Sequence, residues 1–112
     1  MPRRRPRARP EQAAPVFAAL GDATRLALVA RLCDDGPASL SRLTDGTRLT
    51  RQAVSKHLKS LEAAGLVAGT RRGRERIWSI RPQRLDEAQR WLDAIARQWD
   101  GALQRLATHL EP

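Results

Sequence analysis

Cysteine is almost missing from this sequence, because Cys33 is the only one in 112 residues. A single cysteine excludes an internal disulfide bond and any zinc site built from several thiolates. Long apolar runs are lacking too, and none approaches the roughly 18 to 20 residues of a membrane-spanning helix. The N-terminal stretch has no apolar centre of the kind found in secretory signals, so we expect a cytoplasmic protein.

The usual marks of an enzyme are also absent. The sequence has no tyrosine, no glycine-rich phosphate loop, and no plausible nucleophile accompanied by a base and an orienting group. We therefore expect a binding protein that uses no cofactor, and not a catalyst.

Acidic residues are outnumbered, since 12 Asp and Glu stand against 21 Lys and Arg, for a formal net charge of +9. Such an excess favours phosphate backbones or anionic membranes as partners. Residues 1–10, MPRRRPRARP, hold five arginines and three prolines without an acid, which predicts a disordered basic arm. The arm accounts for +5 of the charge, so the rest of the chain is basic as well.

Apolar residues spaced by three and four predict four short helices in the first part of the chain. Their ranges are 11–20, 23–33, 40–45 and 50–64. Side-chain oxygens stand where they would cap the second, third and fourth helices, at Asp22, Ser39 and Thr50. In the second helix the spacing predicts a buried side made of Leu26, Val29, Leu32 and Cys33.

The pattern changes after Gly65 to two short runs rich in β-branched and apolar residues, 66–72 and 75–80. Gly73 between them supplies the positive φ that a tight hairpin turn needs. Helical spacing then returns from Pro82 to Leu110 without a break. Four helices, a hairpin and a last helix predict a mainly α fold with a small β-hairpin, which is a winged helix-turn-helix.

Three stretches carry a resemblance to a known family. They are ALGDATRLALVARL at 19–32, RQAVSKHLKSLEAAGLV at 51–67 and RRGRERIWSI at 71–80. In these stretches the sequence resembles the ArsR-type family of small dimeric transcriptional repressors. The resemblance implies that the first and last helices pair across a two-fold axis. It also implies that the helix at 50–64 enters the DNA major groove, with the hairpin as a wing beside it.

The residue types of this fourth helix agree with that role. Its leading half offers only polar and basic groups away from the apolar side, and arginine and glutamine can each make paired hydrogen bonds to purine edges. We expect base contacts from Arg51, Gln52 and Lys56, and backbone contacts from Thr50, Ser55 and Lys59. The alternative is a face that is merely solvated, as the polar side of many core helices is.

The hairpin tip is rich in arginine, with Glu75 as its one acid. Guanidinium groups at such a tip can enter a minor groove or lie along phosphates. The predicted DNA-binding residues of the wing are Arg71, Arg72, Arg74 and Arg76. Charge on an edge hairpin also prevents aggregation, which is the other reading of these arginines. The arm at 1–10 has the same two interpretations: it binds DNA, or it is a tail that keeps the protein soluble.

The last helix has an apolar stripe over about seven turns, longer than so small a core can cover. We therefore expect a homodimer in which residues 82–112 form a dimerisation helix packed on the DNA-binding domain of residues 11–81. We expect Trp91 and Trp99 to be large contributors to the dimer interface. The expected interface residues are Val16, Phe17, Leu92, Ile95, Trp99, Leu103 and Leu106.

A metal sensor is not expected from this sequence. Members of the family that sense metals use paired cysteines in the stretch that matches 39–45, or His and carboxylate clusters on the last helix. Here Cys33, His57 and His109 lie on separate elements, so no set of ligands converges. We expect Cys33 to be a small buried hydrophobe, with a thiol-responsive repressor as the alternative.

Taken together, these features predict a sequence-specific DNA-binding regulator. It would act as a metal-independent repressor that binds an inverted-repeat operator as a homodimer. We expect no membrane partner, and we expect the protein to be associated with the nucleoid when it is bound to DNA. The alternative from another class is a winged-helix module that binds a protein or a structured RNA.

Overall fold

The computed structural model describes residues 10–110 and shows the predicted mainly helical fold with a small antiparallel sheet. The predicted arm lies outside the described residues apart from Pro10, which is already the first residue of a helix. The elements are α1 (Pro10–Leu20), α2 (Ala23–Asp35), β1 (Ala38–Ser39), α3 (Leu40–Asp45), α4 (Arg51–Ala63), β2 (Val67–Arg72), β3 (Glu75–Ile80) and α5 (Pro82–Leu110).

The three predicted helix caps are confirmed. Asp22 accepts a hydrogen bond from the backbone N–H of Arg25 at 3.0 Å, and Ser39 and Thr50 cap α3 and α4 in the same way. Each cap satisfies a donor that the first helical turn leaves unpaired, and this defines where the helix begins. The helix-turn-helix pair α3–α4 therefore has the limits that local sequence predicts.

The sheet has three strands, one more than the two of the predicted hairpin. β1 pairs antiparallel with β3, with Ala38 opposite Trp78, so the order across the sheet is β1-β3-β2. The hairpin itself is confirmed, and Gly73 at its tip has a φ of +63°. A strand of two residues directly after Pro37 is too short to show alternation, which is why the sequence did not reveal it.

The core forms where α2, α3 and α4 pack against the sheet around Trp78. The predicted buried side of α2 is partly wrong, because Leu26 is 52% exposed while Leu28 is 1% exposed. Cys33 is exposed as well, so it is not the buried hydrophobe that the spacing suggested. Leucine and alanine side chains of α2 lie on several sides of the helix. Packing against α4 and β3 therefore determines which side is buried.

Helix α5 packs on the body of the domain through its first half. Ala88 is buried there, and the rings of Phe17 and Trp91 lie 5.5 Å apart between α1 and α5. Within residues 10–110, no single helix has both the length and the apolar composition of a membrane span. Only α1 and α2 counted together, across a 94° bend, reach that composition.

Candidate nucleic-acid interface

The outer face of α4 is set by the apolar face on its other side. Val54, Leu58 and Leu61 are fully buried in the core, at spacings of four and three. Helical geometry then directs the residues on the opposite side of α4 away from the domain. Of the six residues in and before α4 predicted to contact DNA, five lie on that outer face, with Thr50 at the N-cap; the five are Arg51, Gln52, Ser55, Lys56 and Lys59.

These five side chains are free to meet a ligand. Within residues 10–110 none of them has a side-chain hydrogen-bond or ion-pair partner. Together with Leu40 at the start of α3, they line a shallow depression. Thr50 is partly engaged, because its Oγ1 accepts from the N–H of Ala53 at 3.1 Å, but its hydroxyl hydrogen remains able to donate.

The turn before α4 is held by a residue whose role the sequence did not reveal. Arg31 on α2 donates through Nη1 to the carbonyl oxygen of Leu43 at 3.0 Å and through Nη2 to that of Arg42 at 3.1 Å. Its guanidinium lies beside Gly46, where a Cβ would collide with it. Arg48 in the same turn is exposed, and it is not among the basic residues near α4 that the sequence predicts to contact DNA. Its only sequence signal is its position two residues before the cap of α4.

Three of the four wing arginines are exposed and without a side-chain partner among the described residues. Arg71 and Arg72 lie at the end of β2, and Arg74 follows Gly73 in the turn. Arg76 differs, because its Nη2 lies 3.3 Å from Oε2 of Glu62 on α4. The wing thus presents a basic tip, while its fourth arginine contacts the protein itself.

His57 of α4 faces α2 and not the outer side of the helix. Its Nδ1 lies 3.9 Å from Oδ2 of Asp22. The pKa of Asp22 lies below its ordinary value, chiefly because the backbone N–H of Arg25 donates to the carboxylate, with smaller contributions from the charges of Arg25 and His57. His57 therefore belongs to the contact between α4 and the start of α2.

The exposed stripe of α5 contains most of the residues expected at a dimer interface. Trp99 is 65% exposed, and Leu92, Leu103 and Leu106 are about half exposed. Ile95 is half-buried. Apolar side chains in such a row are typical of a surface that another molecule covers.

The two residues of α1 expected at that interface are placed differently. Val16 is 2% exposed, so it is a core residue of the protomer and offers no surface to a partner. Phe17 is half-buried and packs on Trp91, which therefore also makes contacts within the protomer.

Ligands for a metal ion do not converge in the described part of the chain. Within residues 10–110 no group of three or more His, Cys, Asp or Glu side chains is close enough to hold an ion. Cys33 and His57 lie on α2 and α4, and His109 is near the end of α5.

Comparisons with known proteins agree with this geometry. A family model described as a helix-turn-helix domain matches residues 20–70. The transcriptional repressor SmtB of Mycobacterium tuberculosis is 33% identical over 93 residues, which span 83% of this chain and 67% of the repressor. The structure of an ArsR-like transcriptional regulator from Rhodococcus sp. RHA1 matches with a TM-score of 0.79 and 35% identity, covering 90% of this chain and 94% of that one.

A further solved structure extends the match in fold to almost the whole chain. It is the homodimeric winged helix-turn-helix DNA-binding domain of a possible ArsR-family regulator from Mycobacterium bovis. The TM-score is 0.60 at 24% identity, and the match covers 99% of this chain and 94% of that one. The chain belongs to the ArsR family of winged helix-turn-helix transcriptional regulators, which bind DNA and are not enzymes.

Proposed function

We propose that this protein is a homodimeric repressor that recognises an inverted-repeat operator without a metal cofactor. The observation that carries the proposal is the outer face of α4, where five polar or basic side chains stand together without partners among the described residues. A surface of this kind offers hydrogen-bond donors and positive charge, and DNA supplies acceptors in its major groove and negative charge on its phosphates.

Sequence would be read by the first two turns of α4. Arg51, Gln52 and Lys56 are exposed there, and their side chains are long enough to reach base edges in a major groove. Thr50, Ser55 and Lys59 would contact the sugar-phosphate backbone, because the first two are short and the third lies farther along the helix. Backbone contacts fix the register on the duplex, and base contacts supply specificity.

The wing would contribute affinity more than specificity. Arg71, Arg72 and Arg74 extend from the hairpin tip, where guanidinium groups can lie along phosphates or enter a minor groove. Each phosphate that they neutralise would release counterions, so binding should weaken steeply as the salt concentration rises.

The exposed stripe of α5 supports the homodimer. Leu92, Trp99, Leu103 and Leu106 would be covered by the same helix of a second copy, as expected for a two-fold interface. The Mycobacterium bovis domain of the same fold is itself homodimeric. A two-fold pair of α4 helices would meet two major grooves about 34 Å apart on one side of the duplex.

Repression would follow from occupancy of a promoter. The relative from Mycobacterium tuberculosis is named as a transcriptional repressor. The separation of Cys33, His57 and His109 on three elements argues that release from DNA does not require a metal ion. Because its ligand would be chromosomal DNA, the protein would be cytoplasmic and associated with the nucleoid when bound.

Selection of genomic DNA fragments by the purified full chain, followed by footprinting, tests the proposal. We expect one palindromic motif with half-sites about one helical turn apart. Equal affinity for RNA hairpins and for the selected duplex would contradict it, as would a failure to enrich any motif. Release of the operator on addition of Zn²⁺ or of an oxidant would contradict metal independence or favour a thiol-responsive protein.

A further inference from the structure

Four residues join the end of α4 to the wing. Oε2 of Glu62 on α4 accepts from Nη2 of Arg76 on β3 at 3.3 Å and from the backbone N–H of Gly69 on β2 at 3.4 Å. The guanidinium of Arg76 lies over the ring of Trp78, 4.8 Å from its centroid. One carboxylate oxygen is therefore shared by the two strands of the hairpin.

Gly69 is what makes this arrangement possible. It lies directly opposite Trp78 in the β2–β3 register, and a Cβ there would collide with Nε of Arg76 and lie 3.2 Å from Cη2 of Trp78. Without a side chain at this position, the arginine can pass over the indole ring and reach α4. Because β2 is an edge strand, its outward N–H groups have no neighbouring strand, and Glu62 satisfies one of them.

The position of Glu62 on α4 is unfavourable for DNA binding unless the residue has another role. It follows Ser55 by seven residues, or about two helical turns, and so lies on the same side of α4 as the DNA-facing residues. A carboxylate near DNA repels phosphates. The contacts of Glu62 with the wing supply a reason for an acid at this point.

We propose that Glu62 and Arg76 form a tether that fixes the wing relative to α4. Both are positioning residues, and the contacts with DNA come from Arg71, Arg72 and Arg74. The inference rests on the proposed function and deepens it, because it assigns Arg76 a role different from that of the other wing arginines. A wing held in its bound orientation loses less conformational freedom on binding, which raises affinity without adding a contact.

Replacing Glu62 or Glu75 separates the effect of the tether on operator binding from the effect of a lost negative charge. Glu62→Gln and Glu75→Gln each remove one negative charge from the wing side of the protein, but only Glu62 takes part in the tether. We expect Glu62→Gln to weaken operator binding by about two- to fivefold, the size expected for the loss of a half-exposed ion pair. Glu75→Gln should bind as tightly as the wild type or more tightly. If both variants bind as tightly as the wild type, the tether makes no contribution to operator binding and the proposal is overturned.

The coupling between Glu62 and Arg76 distinguishes a tether from a direct contact with DNA. Residues that act as one unit are non-additive, so the double variant Glu62→Gln/Arg76→Gln should bind no more weakly than the weaker single variant. Additive losses would overturn the proposal and make Arg76 an independent phosphate contact. Gly69→Ala is a second variant that displaces Arg76 without changing any charge, and it should reproduce the loss seen with Glu62→Gln.

Amide hydrogen exchange in the DNA-free protein tests the tether separately from the DNA. Glu62→Ala, which removes the acceptor oxygen, should raise the exchange rate of the Gly69 amide, while Glu75→Ala should leave it unchanged. An unchanged rate for Gly69 in Glu62→Ala would overturn the tether even if the operator is found. Failure of the wild-type protein to select any operator, with faster Gly69 exchange in Glu62→Ala, would instead overturn the proposed function and leave the tether standing.

Discussion

Arg31 and Leu43 are joined by a hydrogen bond of 3.0 Å from the guanidinium Nη1 to the backbone carbonyl oxygen. The bond crosses from α2 to the last turn of α3, where helical carbonyl groups have no partner of their own. It therefore fixes the end of α3, and with it the turn from which α4 begins.

Removal of this guanidinium should destabilise the domain. We expect Arg31→Ala to lower the free energy of unfolding by about 1 to 2 kcal/mol, the range of a partly exposed hydrogen bond from a charged group. Thermal or urea unfolding measures the change. Arg97→Ala, at an exposed position of α5, is the matched control and should be neutral. Gly46→Ala should also destabilise the wild type, but less so when Arg31 has been replaced, because the collision then disappears.

Much of the fold could be predicted from the sequence because its signals are local. The caps at Asp22 and Thr50 and the turn at Gly73 each depend on residues within three or four positions. The outer face of α4 was predictable for the same reason, since the buried side of a helix with one clear apolar stripe determines the exposed side.

The remaining features depend on contacts between elements that are distant in sequence. The side of α2 that is buried is decided by α4 and β3, so Leu26 and Leu28 could not be told apart by spacing. Arg31 reaches Leu43 across twelve positions, and Arg76 reaches Glu62 across fourteen. Neither contact produces a periodic signal in the sequence, because an arginine on the polar side of an element occupies the same kind of position whether or not it bonds to another element.

A charge placed in the exposed stripe of α5 should prevent dimerisation. We expect Leu103→Asp to be monomeric at micromolar concentration, because each buried leucine contributes about 1.5 to 3 kcal/mol and the interface contains two copies. Light scattering or sedimentation measures the mass. Gln104→Asp, with the same new charge at the neighbouring position, should stay dimeric. A dimeric Leu103→Asp with an unchanged dissociation constant would show that the stripe is not the interface.

Asp22 should make stability depend on pH in the acid range. Its pKa is lower in the folded protein than its ordinary value of 3.8, mainly because of the hydrogen bond from the Arg25 N–H. The stabilisation is therefore present above the ordinary value and is lost as the pH falls through the folded-state pKa. Asp22→Asn keeps a side chain that can cap α2 but cannot titrate, so its unfolding free energy should fall less steeply with acid.

Urea unfolding between pH 2 and pH 6 would measure this difference. The control is Asp86→Asn, at an exposed position near the start of α5. Identical acid profiles for Asp22→Asn and the wild type would refute the assignment.

Loss of the Arg74 side chain should weaken binding to all duplexes alike. If Arg74 neutralises one phosphate, the slope of log K against log salt concentration should become less negative by about 0.9 in Arg74→Ala. Titrations of the operator and of a scrambled duplex at several salt concentrations would measure both slopes. An unchanged slope for either duplex would show that Arg74 makes no phosphate contact.

Gln52→Ala should lose discrimination between sequences and keep its affinity for unrelated DNA. Gln52 is exposed on the first turn of α4, and a glutamine that makes paired bonds to adenine contributes about 1 to 3 kcal/mol of preference for that base. Replacement should bring the operator and its single-base variants at one position to nearly equal affinity. The salt slope should stay at its wild-type value, because no phosphate contact is removed. A uniform loss across all sequences would instead place Gln52 among the backbone contacts, and the reading of bases would then fall to Arg51 and Lys56.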